Sequence, residues 1–276
     1  MPRRHGRAGR GDGGVIAAAL RWAAAPGLVG LLGLGLWEGA VRFFGVPSYV
    51  LPGPLAIAAA LREDWALLWP SALVTLRVAL LALLVAVASG GTLAVLFAQS
   101  RALERALFPW AVVLQVTPVV AIAPLILIWV EDVAAALLVC ASIVAFFPVL
   151  SNTALGLRSA DRNLSELFRL YRATRWQALA LLLLPSALPF FLAGLRVAGG
   201  LALIGAVVAE FVAGAGGAGS GLAFRILEAG YQLRIPRMFA ALALISASGI
   251  CIFAALGLVQ HLLLRRWHES AARGDG

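Results

Sequence analysis

The sequence predicts an all-α integral membrane protein with six transmembrane helices and both termini in the cytoplasm. Three observations predict it. The 276-residue chain is 62% hydrophobic and 13% charged, where soluble domains run at about 45–50% and about 25%. Its mean hydropathy is +0.95, and the apolar residues gather into runs long enough to cross a bilayer. The net charge of +9 sits mainly at the chain ends and in the gaps between those runs. A soluble fold of this length has no core large enough for so much apolar sequence. Disordered chains, disulfide-stapled secreted domains and ordinary soluble enzymes are excluded on the same grounds.

A spanning helix needs about 20 apolar residues, since each adds about 1.5 Å and the hydrocarbon core is about 30 Å thick. Six segments qualify, at 27–44, 72–98, 107–130, 133–157, 178–212 and 238–264. Residues 1–25 form a basic cytoplasmic tail, 26–268 one transmembrane domain, and 269–276 a second cytoplasmic tail. The apolar run at 27–44 follows the small residues Ala23, Ala24 and Ala25 with no cleavage site after it, so it reads as an uncleaved first span. With the N-terminus inside, fifteen arginines fall on the cytoplasmic side. Four fall outside: Arg62, Arg225, Arg234 and Arg237. That asymmetry orients the chain and takes the place of any nucleic-acid reading of the charge.

All 22 basic residues are arginine. A P-loop needs a lysine at the β/γ-phosphates, so ATP use, if any, rests with a partner and this chain binds no nucleotide cofactor. Cys140 and Cys251 lie inside apolar runs and read as buried thiols. His5, His261 and His268 show no metal-ligand spacing, and no metal site is expected.

Polar residues inside spans carry the most information. Glu38 and Arg42 share a helix face and are expected to pair. Gly35 and Gly39, spaced as G-x-x-x-G, would permit close helix packing. Arg196 lies deep in the fifth span and is expected to pair with a carboxylate or helix carbonyls. Glu210, at the outer end of that span, either caps a neighbouring element or lines the exit of a pathway. The third span reads Gln115-Val116-Thr117-Pro118 and then Ala123-Pro124. Each proline removes an N–H and clashes with the preceding turn. The helix is therefore expected to kink or unwind, as part of a translocation pathway or as a plain packing kink. Asn152 in the fourth span joins Gln115, Thr117, Pro118, Arg196 and Glu210 as a candidate pathway residue.

The cytoplasmic loop at 158–177 is too patterned for a linker. Leu164, Leu167, Phe168 and Tyr171 fall at i, i+3, i+4 and i+7, one stripe of a short helix. Asn163 and Glu166 have capping-box spacing. Such a helix either lies on lipid head groups or docks into a groove on a partner.

The stretch from Glu166 through Leu167, Phe168, Tyr171, Arg172 and Ala173, followed by Leu184-Pro185, resembles the EAA loop of ABC importer permeases. Glu166 falls on the family's Glu, Ala173 on the Ala after its Gly, and Pro185 on the Pro of its L-P pair. Leu167 and Phe168 replace the paired Ala, and Arg172 stands where Gly is usual. Leu51-Pro52-Gly53-Pro54, Gln115 to Pro118, Phe147-Pro148, Gly194-Leu195-Arg196 and Ala209-Glu210-Phe211 resemble the nitrate/sulfonate/taurine branch. The likeness covers roughly residues 30–268. Glu131-Asp132 departs from the longer Gly-containing outer turn of that branch.

The resemblance implies a type I ABC importer permease fold. Two permease copies would enclose the pathway, an ABC ATPase subunit would receive the loop around Glu166, and an extracytoplasmic substrate-binding protein would deliver a small solute. That solute would be a nitrate-, sulfonate- or taurine-like anion, or a pyrimidine-type vitamin precursor. The chain itself would be non-catalytic. A stand-alone secondary transporter or channel is the alternative. It calls for an ion site at the midplane and often for inverted repeats, and the sequence displays neither.

Overall fold

The computed structural model describes the backbone of residues 13–214 and 219–271, and side chains over 27–214 and 219–265. Among these residues every regular element is helical. Residues 1–12 and 272–276 of the two expected tails lie outside the described residues. Helix α1 (Gly13–Phe43) starts earlier than the expected first span.

Helix α3 (Trp65–Gln99), α6 (Val133–Arg158), the run 175–213 and α11 (Ile235–Ala271) are each long and apolar enough to cross a membrane. The run 175–213 comprises α8 (Arg175–Ala178), a π segment (Leu179–Leu183) and α9 (Leu184–Ala213). The π segment sits where Pro185 requires it. The proline ring would clash with the carbonyl four residues back, and a widened turn relieves that clash.

The expected third span is two helices. Helix α4 (Arg101–Val116) and α5 (Val119–Trp129) meet at 101°. Thr117 (ψ 121°) and Pro118 (ψ 114°) are both extended; Thr117 is driven out of the helical region because it precedes a proline. At about 1.5 Å per residue, neither helix alone matches the hydrocarbon thickness. Counting the bent pair as one gives a fifth crossing.

The core is built from small residues. Ala79, Ala82 and Ala86 of α3, Ala136, Ala141 and Ala145 of α6, and Ala198, Ala202 and Ala206 of α9 are buried together. Helix α6 packs most extensively on α9 and then on α3. Three glycines set the α6–α9 spacing. A Cβ at Gly156 would stand 2.8 Å from Ala187 Cα, one at Gly194 2.6 Å from Asn152 Cβ, and one at Gly205 2.9 Å from Ala141 Cα. Backbones this close give up large side chains and gain dispersion contacts along the whole interface. The G-x-x-x-G of the first span does no such work, since a Cβ at Gly35 or Gly39 meets nothing within 4 Å.

Two short helices lie at the ends of spans, α2 (Pro54–Glu63) and α10 (Leu222–Tyr231). Each takes its cap from a distant carboxylate. Leu55 N–H donates to Glu38 Oε2 at 3.1 Å, while Arg42 Nε donates to Glu38 Oε1 at 2.7 Å, the expected i,i+4 pair. At α10, Ala223 N–H donates to Glu210 Oε2 at 3.1 Å and Leu222 N–H to Thr75 Oγ1 at 2.8 Å. The N-cap residue is glycine in both, Gly53 and Gly221. Any Cβ there would fall 2.5 Å from the Glu38 carboxylate or 2.1 Å from that of Glu210. Helix N-termini favour negative charge, so the half-buried Glu38 and the buried Glu210 each have a use.

Candidate functional site

Two regions collect the candidate residues, a cytoplasmic loop and a cleft at the α4–α5 break.

The loop begins where α6 ends. Arg158 pairs with Glu104, which ties the end of α6 to the first turn of α4. Helix α7 (Arg162–Leu170) follows after three residues. Its N-cap is Asp161, whose Oδ1 accepts from Asn163 N–H at 2.7 Å and Leu164 N–H at 3.1 Å. This corrects the capping box expected at Asn163 and Glu166. Asp161 lies two residues upstream of Asn163 and starts the helix earlier, so Asn163 and Leu164 supply the capped donors and Glu166 stays exposed on the middle of the helix. A complete capping box does occur, one helix later. Thr174 Oγ1 accepts from Gln177 N–H at 3.3 Å, and Gln177 Oε1 accepts from Thr174 N–H at 2.8 Å, at the start of α8.

Between α7 and α8 the chain reverses at Arg172. Its φ is +51°, the left-handed conformation that glycine adopts without cost. Arg172 N–H donates to Arg169 O at 3.0 Å and Ala173 N–H to Phe168 O at 2.9 Å. These are the two bonds of a Schellman C-cap. The position that the family resemblance gives to glycine is thus one whose backbone asks for glycine.

The stripe on α7 faces outward. Leu164 is 47% exposed, Leu167 43%, and Tyr171, at the C-cap, 80%. Phe168 is half-buried. Leu170, off the predicted stripe, is 79% exposed as well. This small loop therefore presents apolar side chains that none of the described residues covers. It is carried by α6 on one side and by the α8–π–α9 run on the other, with Pro185 at the base of α9.

The second region is a cleft of ≈ 300 Å³ where α4 breaks into α5. Gln115, Thr117 and Pro118 line it, facing Leu201, Ile204 and Val208 of α9. Thr117 Oγ1 donates to Val113 O at 2.7 Å, alongside the Thr117 N–H that already bonds the same carbonyl at 3.1 Å, so its hydroxyl is satisfied by the last turn of α4. Among the described residues no charged side chain lines this cleft.

The other pathway candidates lie elsewhere, for local reasons. Asn152 sits in the α6–α9 interface, with Nδ2 donating to Pro148 O at 2.8 Å and Cβ against Gly194. Glu210 is 3% exposed and caps α10, with Thr75 Oγ1 donating to its Oε2 at 3.0 Å. Arg196 turns toward α11, where its guanidinium lies 3.7 Å over the Phe253 ring. The expected carboxylate or carbonyl partner of Arg196 is absent among the described residues, and its buried Nε has no acceptor there. Cys140 is buried as expected, but Cys251 is exposed on the outer face of α11.

Sequence reasoning missed the polar ties at the ends of the spans. Arg237, at the start of α11, donates to Asp64 Oδ2 and Oδ1 at 2.6 and 2.5 Å. Arg225 of α10 donates to Ser71 Oγ at 3.0 Å and pairs with Glu228 at 2.8 Å. Lone charges beside apolar runs were the available signal; Glu228 stands three residues from Arg225 on α10, but Asp64 and Ser71 lie far along the chain from the arginines they meet.

Comparison with known proteins places this arrangement. Residues 86–268 match the model of the family described as "Binding-protein-dependent transport system inner membrane component". The chain is 36% identical over 242 residues to the riboflavin transport system permease protein RibX of Chloroflexus aurantiacus, covering 87% of this chain and 88% of that one. It is 34% identical over 240 residues to the formylaminopyrimidine transport permease protein ThiX of Halalkalibacterium halodurans, covering 87% and 94%. It is 29% identical over 196 residues to the nitrate import permease protein NrtB of Leptolyngbya laminosa, covering 71% and 68%. In fold it resembles a chain from the crystal structure of an amino acid ABC transporter with histidines, with a TM-score of 0.60 and 18% identity over 75% of this chain and 97% of that one. The matched region takes in the α4–α5 break, the α7 loop and the α6–α9 core, and the chain belongs to the family of binding-protein-dependent transport system inner membrane components, the multi-pass permeases of ABC transporters.

Proposed function

We propose that this chain works as one of two permease copies in an ATP-driven importer, with α1 as the sixth crossing and both termini cytoplasmic. A separate ABC ATPase subunit receives α7 and hydrolyses the ATP, and an extracytoplasmic binding protein delivers the solute. The uncovered stripe of Leu164, Leu167 and Tyr171 carries this reading. A groove on a partner is the cover that such a stripe calls for, and two packed helices bring its displacement directly to the core.

The solute is an uncharged, hydrogen-bonding heteroaromatic compound of the riboflavin or formylaminopyrimidine kind. Two features support this over a small anion. The cleft at the α4–α5 break offers Gln115 and Thr117 among apolar neighbours and no cation, and the nearest arginine in α9, Arg196, turns to α11. An unneutralised anion in such surroundings is costly, whereas a planar ring with amide-like groups is not. RibX and ThiX, named for solutes of that kind, share 36% and 34% of residues with this chain.

The test is mild-detergent purification of the tagged chain from native membranes, followed by uptake assays in vesicles. A P-loop ATPase should co-purify with the wild-type chain and be lost with Phe168→Asp and weakened with Glu166→Ala, while both variants still insert. Unchanged association and uptake in both variants would remove the coupling assignment. Uptake of labelled riboflavin should outrun that of nitrate, and the reverse order would overturn the substrate class.

A further inference from the structure

We propose that the cleft between α9 and α11 holds the phosphate of an anionic phospholipid from the leaflet at the C-terminal end of α11. The cleft has a volume of ≈ 620 Å³ and is lined by Arg196, Gly257, Gln260, His261, Leu264 and Arg265. Its polar lining consists of two arginines, a histidine and a glutamine, with no carboxylate among them. The four acids in the ion pairs of the described residues serve Arg42, Arg158, Arg225 and Arg237, and none reaches Arg196 or Arg265.

Arg196 is held in place without being neutralised. The Phe253 ring lies beneath the guanidinium at 3.7 Å, a contact that orients the cation and leaves its charge unmatched. The guanidinium lies against the α11 backbone at Gly257, where a Cβ would stand in ordinary contact 3.6 Å from Cζ and Nη2. Phe253, Gly257, the adjacent pair Gln260 and His261, and Leu264 recur at three- and four-residue spacing and so share one face of α11. That face climbs from the half-buried Arg196 to the exposed Arg265. Planar guanidinium groups bind phosphate oxygens in pairs, and basic pockets between transmembrane helices bind anionic head groups.

The surroundings select a lipid phosphate over a free one. Leu258, Val259, Leu262 and Leu263, on the other faces of α11, are 41–58% exposed. A phosphate in the cleft would therefore place its acyl chains beside a continuous apolar surface. The assignment is independent of the transported solute, since the α4–α5 cleft shares no lining residue with this one.

The experiment uses the full chain, with its complex where one co-purifies. It is stripped of lipid in detergent and examined by native mass spectrometry and thermal unfolding. The probes are phosphatidylglycerol, phosphatidylcholine with the same acyl chains, and inorganic phosphate. Phosphatidylglycerol should remain bound and raise the unfolding temperature, and phosphatidylcholine should do neither. Arg196→Gln and Arg265→Gln should each weaken retention by about tenfold, the value of one charge-assisted hydrogen bond. Arg265 is exposed, so Arg265→Gln keeps the test informative should Arg196→Gln fail to fold. Equal retention of phosphatidylglycerol by the wild type and Arg265→Gln would overturn the assignment. So would stabilisation by millimolar inorganic phosphate equal to that by the lipid, which would make this a site for a soluble anion.

Discussion

Arg172→Gly tightens the loop between α7 and α8, and Arg172→Ala does not. The wild-type arginine holds φ at +51°, where a Cβ crowds the following carbonyl at a cost of about 1–2 kcal/mol. Glycine removes that cost but adds freedom to the opened loop, which takes back about 0.4–1 kcal/mol. The difference is a gain of about 1 kcal/mol, or roughly fivefold in the local opening equilibrium. Alanine keeps the Cβ and hence the strain, so it separates backbone relief from loss of the exposed charge. The reporters are the amides of Tyr171, Arg172 and Ala173, bonded to Leu167, Arg169 and Phe168 carbonyls at 2.9–3.0 Å. Hydrogen exchange of the purified chain should slow roughly fivefold there in Arg172→Gly. Exchange at the wild-type rate in Arg172→Gly, or equal slowing in Arg172→Ala, would refute the reasoning.

Three further outcomes are expected. Gly194→Val drives a side chain against Asn152 Cβ and Pro148 O, 2.6 and 2.8 Å from the position of its Cβ. It should destabilise the chain by about 1–3 kcal/mol, read as a lower unfolding temperature in detergent. Gly200→Val, on the same helix with nothing within 4 Å, should leave that temperature in place. Asp64→Ala strands Arg237, whose side chain is 10% exposed, at a cost of about 3 kcal/mol. Adding Arg237→Met should restore part of it, and a double variant no better than Asp64→Ala would sink the pairing argument. Thr75→Val keeps the shape but loses the acceptor for Leu222 N–H and the donor to Glu210. It should cost about 2 kcal/mol, seen as faster hydrogen exchange at the start of α10 and not along α6.

Four of the expected spans, and a fifth as a bent pair, were legible because a bilayer imposes length and apolarity on each segment separately, without reference to its neighbours. The break at Pro118 was legible for a related reason, as the residue before a proline responds to a purely local clash. Glu38 with Arg42 could be paired on paper because four residues separate them. Asp64 with Arg237, 173 residues apart, and Thr75 with Glu210, 135 apart, could not, since only the packing of whole helices brings them together. Helices α2 and α10 escaped notice because ten residues are too few for a strong periodic signal, and their caps come from other elements. The stripe on α7 was readable from its spacing, but its cap went to Asn163 because Asp161 competes within two residues. Arg172 shows the limit most clearly. Its backbone conformation was visible only through the glycine that relatives of the same pattern carry, and the arginine itself gives no sign of it.

The π segment at 179–183 gives the loop an uneven mounting. On the α6 side, α7 is joined through three residues to a helix that stays α-helical to Val133. On the α9 side, five residues with wider turns intervene between α8 and the proline-started helix. A load applied at α7 therefore meets a stiff strut and a spring in parallel. Above the spring, the glycine-lined seam at Gly156, Gly194 and Gly205 locks the two rods side by side, so they cannot slide past each other to share the load. If α7 receives the ATPase as proposed, its displacement would tilt the fused pair about the widened turn ahead of Pro185.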